Sequence, residues 1–227
     1  ITYTENFDNS AWIKRNSSII SNATTAPNGS NNAFKLLDNA SSNMHFIYQN
    51  FLNIPNVSSV TFSIYAKAAE KTWLAIDAYI NTDVVCYFDI GNGVLGTMAS
   101  GCTGTITSVG NGWYRCSVTR TVTNGTYSLS PIYGPSNGNN AFTYLGTGSD
   151  GIYVWGANMS INRNLLPYQS IGNAVPTNTP VAVNPIRSYA LYEAASTNQL
   201  KWCRDASQTP NKNVLKYSQQ YNNLSLI

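Results

Sequence analysis

The sequence predicts an all-β protein, an antiparallel jelly-roll β-sandwich followed by an extended C-terminal arm. Three observations lead to this fold class. Apolar and polar residues alternate along several short stretches, which is the side-chain period of strands with one buried face. Turn signals recur about every 8–12 residues, as in sandwiches and jelly rolls. No helical periodicity is present before the C-terminal tail.

The clearest strand begins after Asn111-Gly112, a dipeptide that tolerates positive φ and favours a tight turn. Tyr114, Cys116 and Val118 then point to one side, and Trp113, Arg115, Ser117 and Thr119 to the other. We expect this segment to be a central strand, with the rest of the chain covering one of its faces.

Shorter strands are expected at residues 33–37 and 45–51, and three regular ones follow between residues 60 and 90. The predicted core residues of these three are Val60, Phe62, Ile64 and Ala66, then Leu74, Ile76, Ala78 and Ile80, and then Val84, Cys86, Phe88 and Ile90. Further along, Asn124-Gly125 predicts another turn before a strand at residues 126–133. The last strand, residues 152–159, starts apolar on both faces and therefore belongs in the middle of a sheet.

The chain changes character near residue 172, which divides a sandwich at residues 1–172 from a linker and arm at residues 173–227. Prolines space out an extended linker after this point. Residues 189–200 fit a short helix, and the remaining tail is polar with no core of its own. We expect the arm to be ordered by contacts with another subunit, which predicts a homo-oligomer.

Composition excludes several classes of function. Charged residues make up 10% of the chain, the net charge is +3, and the lysines and arginines are scattered, which argues against a nucleic-acid partner. No apolar run approaches membrane-spanning length, and no signal-peptide pattern opens the chain. The chain lacks an initiating Met, so we expect it to be processed or to be a segment of a longer protein.

The cysteines and the histidine argue against a zinc site. Cys86, Cys102, Cys116 and Cys203 contain no Cys-x-x-Cys pair, and His45 is the only histidine. Cys86 and Cys116 fall on core-facing strand positions, which favours buried free thiols. A disulfide between two of the four stays open and would indicate an oxidising compartment.

The outward sides of four predicted strands carry aromatic rings interleaved with hydrogen-bonding groups. If these strands share a sheet, the face suits sugars, whose C–H faces stack on rings while polar side chains fix the hydroxyls. The predicted carbohydrate-binding residues are Tyr65, Trp73, Asp77, Tyr79, Tyr87 and Arg115. The alternative is that these rings pack under a loop or against another subunit. The contexts of Trp12, Trp113 and Trp155 favour a structural role.

The sequence does not indicate an enzyme. Glycoside hydrolysis requires two carboxylates flanking a cleft, and only Asp77 and Asp89 share a predicted face. His45 stands alone beside Phe46, and the glycine-rich loops lack the lysine or helix start of a phosphate cradle. We therefore expect no catalytic residues.

Six phrases in order resemble the jelly-roll module of bacteriophage virion proteins, particularly tail fibres and capsid-surface proteins. They lie at residues 5–12, 26–29, 62–67, 88–93, 110–116 and 151–157. That module is similar in fold to the carbohydrate-binding modules of families four and nine. The resemblance covers residues 1–172, and residues 173–227 lie outside it.

The resemblance implies a virion-surface location and, more loosely, binding to a glycan of the host surface. A second role stays open, that of a capsid decoration protein whose arm contacts other virion proteins. Many relatives place an acidic residue near a structural calcium in the final strand, and residues 153–156 here contain no carboxylate. We therefore expect no cofactor, although Asp8 and Asp150 could contribute to a calcium site with backbone carbonyls.

Overall fold

The computed structural model describes residues 1–170, 190–193 and 200–203, the last two segments as backbone strands. The regular elements of these residues are all strands. They are β1 (Ile13–Arg15), β2 (Ser17–Thr24), β3 (Ala33–Asp38), β4 (Ser42–Met44), β5 (Phe46–Tyr48), β6 (Phe51–Ala68), β7 (Trp73–Ile80), β8 (Val85–Asp89), β9 (Val94–Leu95), β10 (Cys102–Gly110), β11 (Trp113–Ser136), β12 (Thr143–Leu145), β13 (Gly151–Ile161), β14 (Ala190–Glu193) and β15 (Leu200–Cys203). The chain divides into two units, Ile1–Ala174 and Val175–Ile227.

The first unit is a two-layered antiparallel sandwich in which β11 belongs to both layers. The first part of β11 pairs with β6 and β10, and its last part pairs with β7 and β5. The first layer therefore runs β2-β3-β13-β6-β11-β10, and the second runs β1-β5-β11-β7-β8-β9. The predicted all-β fold class, an antiparallel jelly-roll sandwich, is confirmed.

The turn predicted at Asn124-Gly125 is wrong, because β11 continues without interruption from Trp113 to Ser136. The register against β6 shifts between Thr121 and Gly125, and again before Leu129. Irregular register of this kind bends a strand and increases its twist. Gly125 therefore marks the bend by which β11 passes from one layer to the other. By contrast, Asn111-Gly112 does form the predicted tight turn, and both residues have positive φ.

The predicted alternation of side chains is confirmed in the three strands β6, β7 and β8. The inward residues named above for β6 and β7 are at most 2% exposed and join one core cluster. Val84 is the exception, since it lies in the turn before β8 and is only half-buried. Trp12 and Trp113 are also interior, and their indole Nε1 atoms donate to the carbonyls of Tyr3 and Thr25.

The thiols of Cys86, Cys102 and Cys116 are free, and the first and last lie in the core as expected. A hydrogen bond with the thiol of Cys102 lowers the pKa of Cys86 to about 7. The side chain of Cys203 lies outside the described residues.

In the second unit, β14 and β15 form an antiparallel hairpin that pairs Ala190 with Cys203 and Glu193 with Leu200. The helix expected over residues 189–200 is therefore wrong at residues 190–193 and 200. Each strand contains an aromatic residue, a type that is enriched in strands. The alanine-rich spacing that favoured a helix did not take this preference into account. The rest of the predicted arm, and its contacts with other subunits, lie outside the described residues. Where the structure does describe the chain, no helix has the length and apolar character of a membrane span.

We expect Tyr133→Phe to lower the free energy of unfolding by about 1–2 kcal/mol, because the variant removes a buried hydrogen bond. Tyr133 is 0% exposed, and its hydroxyl donates to the carbonyl of Ser63 at 3.1 Å. Denaturant unfolding of the full chain measures the change.

Tyr127→Phe is the matched control, since the hydroxyl of Tyr127 donates to Thr123 O at an exposed position. Water can replace that bond, so we expect a loss below about 0.5 kcal/mol. Equal losses in the two variants would contradict the role assigned to burial.

Candidate functional site

The outer face of the second layer carries aromatic side chains in cross-strand rows. One row runs across five strands and contains Ile13, Tyr48, Ile132, Asp77 and Val85. The next row contains Arg15 and Phe46 on one side and Gly134, Ala75 and Tyr87 on the other. Tyr79 and Trp73 lie beyond these rows, opposite Ser130 and Ser136. We call this surface the aromatic face.

The aromatic face has a closed floor and partly exposed rings around it. Ala75, Tyr87, Ile132 and Phe142 are at most 8% exposed and form a cluster of their own, separate from the main core. Phe142 packs into the space that Gly134 leaves by having no side chain. Phe46, Tyr48, Trp73 and Tyr79 surround this floor and are half-buried. Their rings are therefore held by packing while part of each remains accessible.

A cleft of about 150 Å³ opens where the aromatic face reaches the edge strand β1. It is lined by Arg15, Asn16, Asn43, Met44, Phe46 and Tyr48. The rings of Phe46 and Tyr48 lie 5.7 Å apart and tilted by 52°. The cleft thus combines an aromatic wall with a guanidinium and two side-chain amides.

The two carboxylates of the aromatic face are engaged by their own hairpins. Asp77 is 4% exposed, and its Oδ1 accepts the N–H of Val84 at 2.7 Å. Burial raises the pKa of Asp77 to about 7, with a further contribution from Asp83. Asp89 accepts the N–H groups of Gly91 and Asn92, and thereby holds the turn after β8.

The structure brings together four of the six predicted site residues, namely Trp73, Asp77, Tyr79 and Tyr87. Tyr65 and Arg115 do not join them, because β6 and the first part of β11 belong to the first layer. These two residues are cross-strand partners on the outer face of that layer, across the sandwich from the aromatic face. The predicted single surface is therefore wrong for these two.

Tyr65 and Arg115 are covered by the chain that follows β13. Tyr65 packs against Trp155 and Tyr168, with ring centroids 5.3 and 5.5 Å away. Arg115 Nη2 donates to Leu166 O at 2.7 Å, and its guanidinium lies 5.6 Å from the Tyr65 ring centroid. Tyr168 donates through its hydroxyl to Glu5 at 2.8 Å. On this face the packing role, which sequence reasoning left open, is the one observed.

Sequence reasoning missed Phe46, Tyr48, Ile132 and Arg15 as members of the aromatic face. A signal existed for the first two, because they flank the apolar Ile47 in the strand that the sequence predicted at residues 45–51. Ile132 and Arg15 carried no local signal, since their positions depend on the pairing of β5 with β11 and β1.

Asp8 and Asp150, the two residues considered for a calcium site, make different contacts. Asp8 is exposed, and its carbonyl accepts a hydrogen bond from Lys14. Asp150 lies 3.5 Å from the amine of Lys71. Among the described residues, no group of three or more histidines, cysteines or acidic residues could hold a metal ion.

No protein-family model matches the chain, and no curated protein matches it. Several solved structures are similar to part of it, among them the following two. One is the enzymatically active domain of tailspike protein 4 of bacteriophage CBA120, which is 13% identical with a TM-score of 0.42. The similarity covers 71% of this chain and only 21% of the tailspike chain. The other is TmCBM27, a carbohydrate-binding module studied for specific mannan recognition; it is 14% identical with a TM-score of 0.37, over 70% of this chain and 93% of that one.

We expect Asp77→Asn to remove part of the pH dependence of stability. The pKa of Asp77 is raised from 3.8 to about 7 in the folded state, so the folded protein holds this proton more tightly than the unfolded chain. The stabilisation is complete below pH 3.8 and is lost as the pH rises through about 7. Relative to Asp77→Asn, the wild type should lose about 2–4 kcal/mol over that range.

Denaturant unfolding of both proteins between pH 4 and 8 measures this difference. Asp83→Asn is the second variant. Removing the charge of Asp83 should reduce the loss of stability with rising pH, while the burial of Asp77 keeps the sign of that loss. A difference between wild type and Asp77→Asn that does not change with pH would contradict the assignment.

We expect Arg115→Gln to expose the bond after Arg163 to trypsin several times faster, because the segment 164–168 loses its anchor at Leu166 O. Mass spectrometry of limited digests identifies this cleavage. Arg120→Gln is the control, since Arg120 instead anchors the β7–β8 turn through Ala78 O and Thr82 O. Unchanged cleavage after Arg163 in Arg115→Gln would show that the hydrogen bond does not hold this segment.

Proposed function

We propose that this protein is a non-catalytic carbohydrate-binding module on the surface of a phage virion, where it attaches to a glycan of the host surface. The observation that carries the proposal is the aromatic face, with Tyr48, Trp73 and Tyr79 half-buried around a packed floor. The virion context and the homo-oligomeric state come from the sequence resemblance and the polar tail described above, and they are part of the proposal.

Sugar binding is favoured because the aromatic face offers fixed rings beside hydrogen-bonding groups. A sugar ring presents C–H groups that pack on an aromatic face and hydroxyls that require polar partners. The polar groups beside the rings are those of the adjoining cleft, which Arg15 and Asn43 line. Because paired strands carry the rings, little conformational entropy remains to be lost on binding.

A non-catalytic role is favoured by the state of the two carboxylates on this face. Hydrolysis of a glycosidic bond uses two carboxyl groups that both face the sugar. Asp77 and Asp89 are at most 7% exposed and accept backbone N–H groups of their own hairpins. These contacts leave the two side chains as structural members of the hairpins.

We expect Tyr48→Ala and Tyr79→Ala each to weaken glycan binding about tenfold, which corresponds to a loss of about 1.4 kcal/mol. An array of bacterial surface polysaccharides identifies the ligand, and calorimetric titration of the full chain measures affinity. Tyr153→Ala is the matched control, because Tyr153 is half-buried on the outer face of the other layer.

Thermal unfolding of each variant verifies that it is folded before titration. Equal affinity in all three variants and the wild type would exclude the aromatic face as the binding surface. If the wild type binds none of the arrayed polysaccharides, the proposed function is overturned.

A further inference from the structure

We propose, resting on the function above, that the cleft beside Tyr48 selects an acidic sugar and that Arg15 binds the sugar's carboxylate. The ligand class is then a polysaccharide that contains uronic acid or another carboxylated sugar. Arg15 lies opposite Phe46 in the β1–β5 pair, on the same side of the sheet as Tyr48. A sugar packed on Tyr48 would therefore have the guanidinium at its edge.

Several hydrogen bonds hold the two chain segments that line the cleft in place. Asn16 Nδ2 donates to Met44 O at 3.0 Å, and Ser17 Oγ donates to Phe46 O at 2.8 Å. The ring of His45 is fully buried, and its Nδ1 lies 2.7 Å from Asn16 O. These contacts join the β1–β2 corner to the β4–β5 corner, so the two walls keep a fixed separation.

Arg15 differs from Lys14, Arg115 and Arg120 because its charge is not used within the fold. Within residues 1–170 its guanidinium makes no ion pair or hydrogen bond, and the side chain is exposed. Lys14, the preceding residue, donates to the carbonyls of Asp8 and Asn9. Arg115 and Arg120 likewise donate to backbone carbonyls. Five donors of Arg15 therefore remain for a ligand.

No residue that lines the cleft carries a negative charge. Asp77 is three strands away across the β1–β5–β11–β7 order, which is about 14 Å at the usual strand spacing. That distance exceeds the screening length of about 8 Å at physiological ionic strength. Of the residues that line the cleft, Arg15 is the only charged one. An anion that enters the cleft thus meets one uncompensated positive group.

The chemistry of the lining favours a carboxylated sugar over other anions. A guanidinium presents a planar fork that matches a carboxylate in a bidentate pair. The rings of Phe46 and Tyr48 add an apolar wall that suits the C–H face of a sugar. Asn43, a second polar residue of the lining, adds a side-chain amide. The row from Ile13 to Val85 extends the surface over about 19 Å, which suits an oligosaccharide.

The test compares oligosaccharides that end in glucuronate or galacturonate with their glucose and galactose counterparts. Calorimetric titration of the full chain should show at least tenfold tighter binding of the acidic members, and a weakening of that binding by salt. Arg15→Gln should abolish the preference, so that the acidic members bind no more tightly than their neutral counterparts. Arg15→Lys should retain only part of it, because an ammonium cannot form the bidentate pair. Arg163→Gln, at another exposed arginine, is the control.

The outcomes separate this inference from the function on which it rests. Equal binding of acidic and neutral members by the wild type, or an acidic preference that Arg15→Gln retains, overturns the inference and leaves sugar binding intact. Failure of the wild type to bind any member or any arrayed polysaccharide overturns both.

Discussion

The course of β11 through both layers determines which side chains can share a surface. Residues 113–121 of β11 pair with β6, and residues 129–136 pair with β7. Between these segments the strand bends at register shifts around Gly125. A single strand in two layers joins them covalently and supplies hydrogen-bond partners to both. It also places the outward residues of its two halves on opposite sides of the sandwich, which separates Arg115 from the aromatic face.

The two outer faces have similar compositions and different surroundings. On the first layer, Tyr65 and Trp155 are covered by Tyr168, and Arg115 donates to Leu166 O. On the second layer, Tyr48 and Tyr79 stay half-exposed, and Arg15 has no partner within residues 1–170. The residue types of a face therefore do not define its role. Whether another segment of the chain covers the rings and uses the charges is what distinguishes the two.

Local alternation was sufficient to predict the strands and their inward residues, because the period of side chains along a strand does not depend on its neighbours. It could not predict which strands share a layer, since pairing joins residues far apart in the sequence. Asn111-Gly112 and Asn124-Gly125 illustrate the limit. Both dipeptides favour a turn. At the second, however, β11 is paired with β6 both before and after Gly125, and this pairing keeps β11 extended.

Asp77 shows a different limit of the sequence. Alternation correctly placed it on the outer side of β7, beside the aromatic rings. A carboxylate there was expected to face a ligand. Instead, the carboxylate of Asp77 accepts a hydrogen bond from the N–H of Val84 in the β7–β8 hairpin. A local backbone donor is always present at high effective concentration, so it competes well against a ligand in solution. Polar groups in hairpins are therefore weaker candidates for binding than polar groups at an edge strand.

Arg15 lies at such an edge, and its position admits two physical roles that make different demands on the side chain. Charged residues on edge strands prevent pairing with other chains, and β1 is the edge of the second layer. That protective role needs only a positive charge, which lysine supplies as well. A carboxylate site needs the planar fork of arginine and a neighbouring apolar wall. Phe46 and Tyr48 provide that wall directly beside Arg15, and a purely protective charge would have no use for it. The pairing of guanidinium and rings at one edge is therefore the feature on which the proposed recognition of an acidic sugar rests.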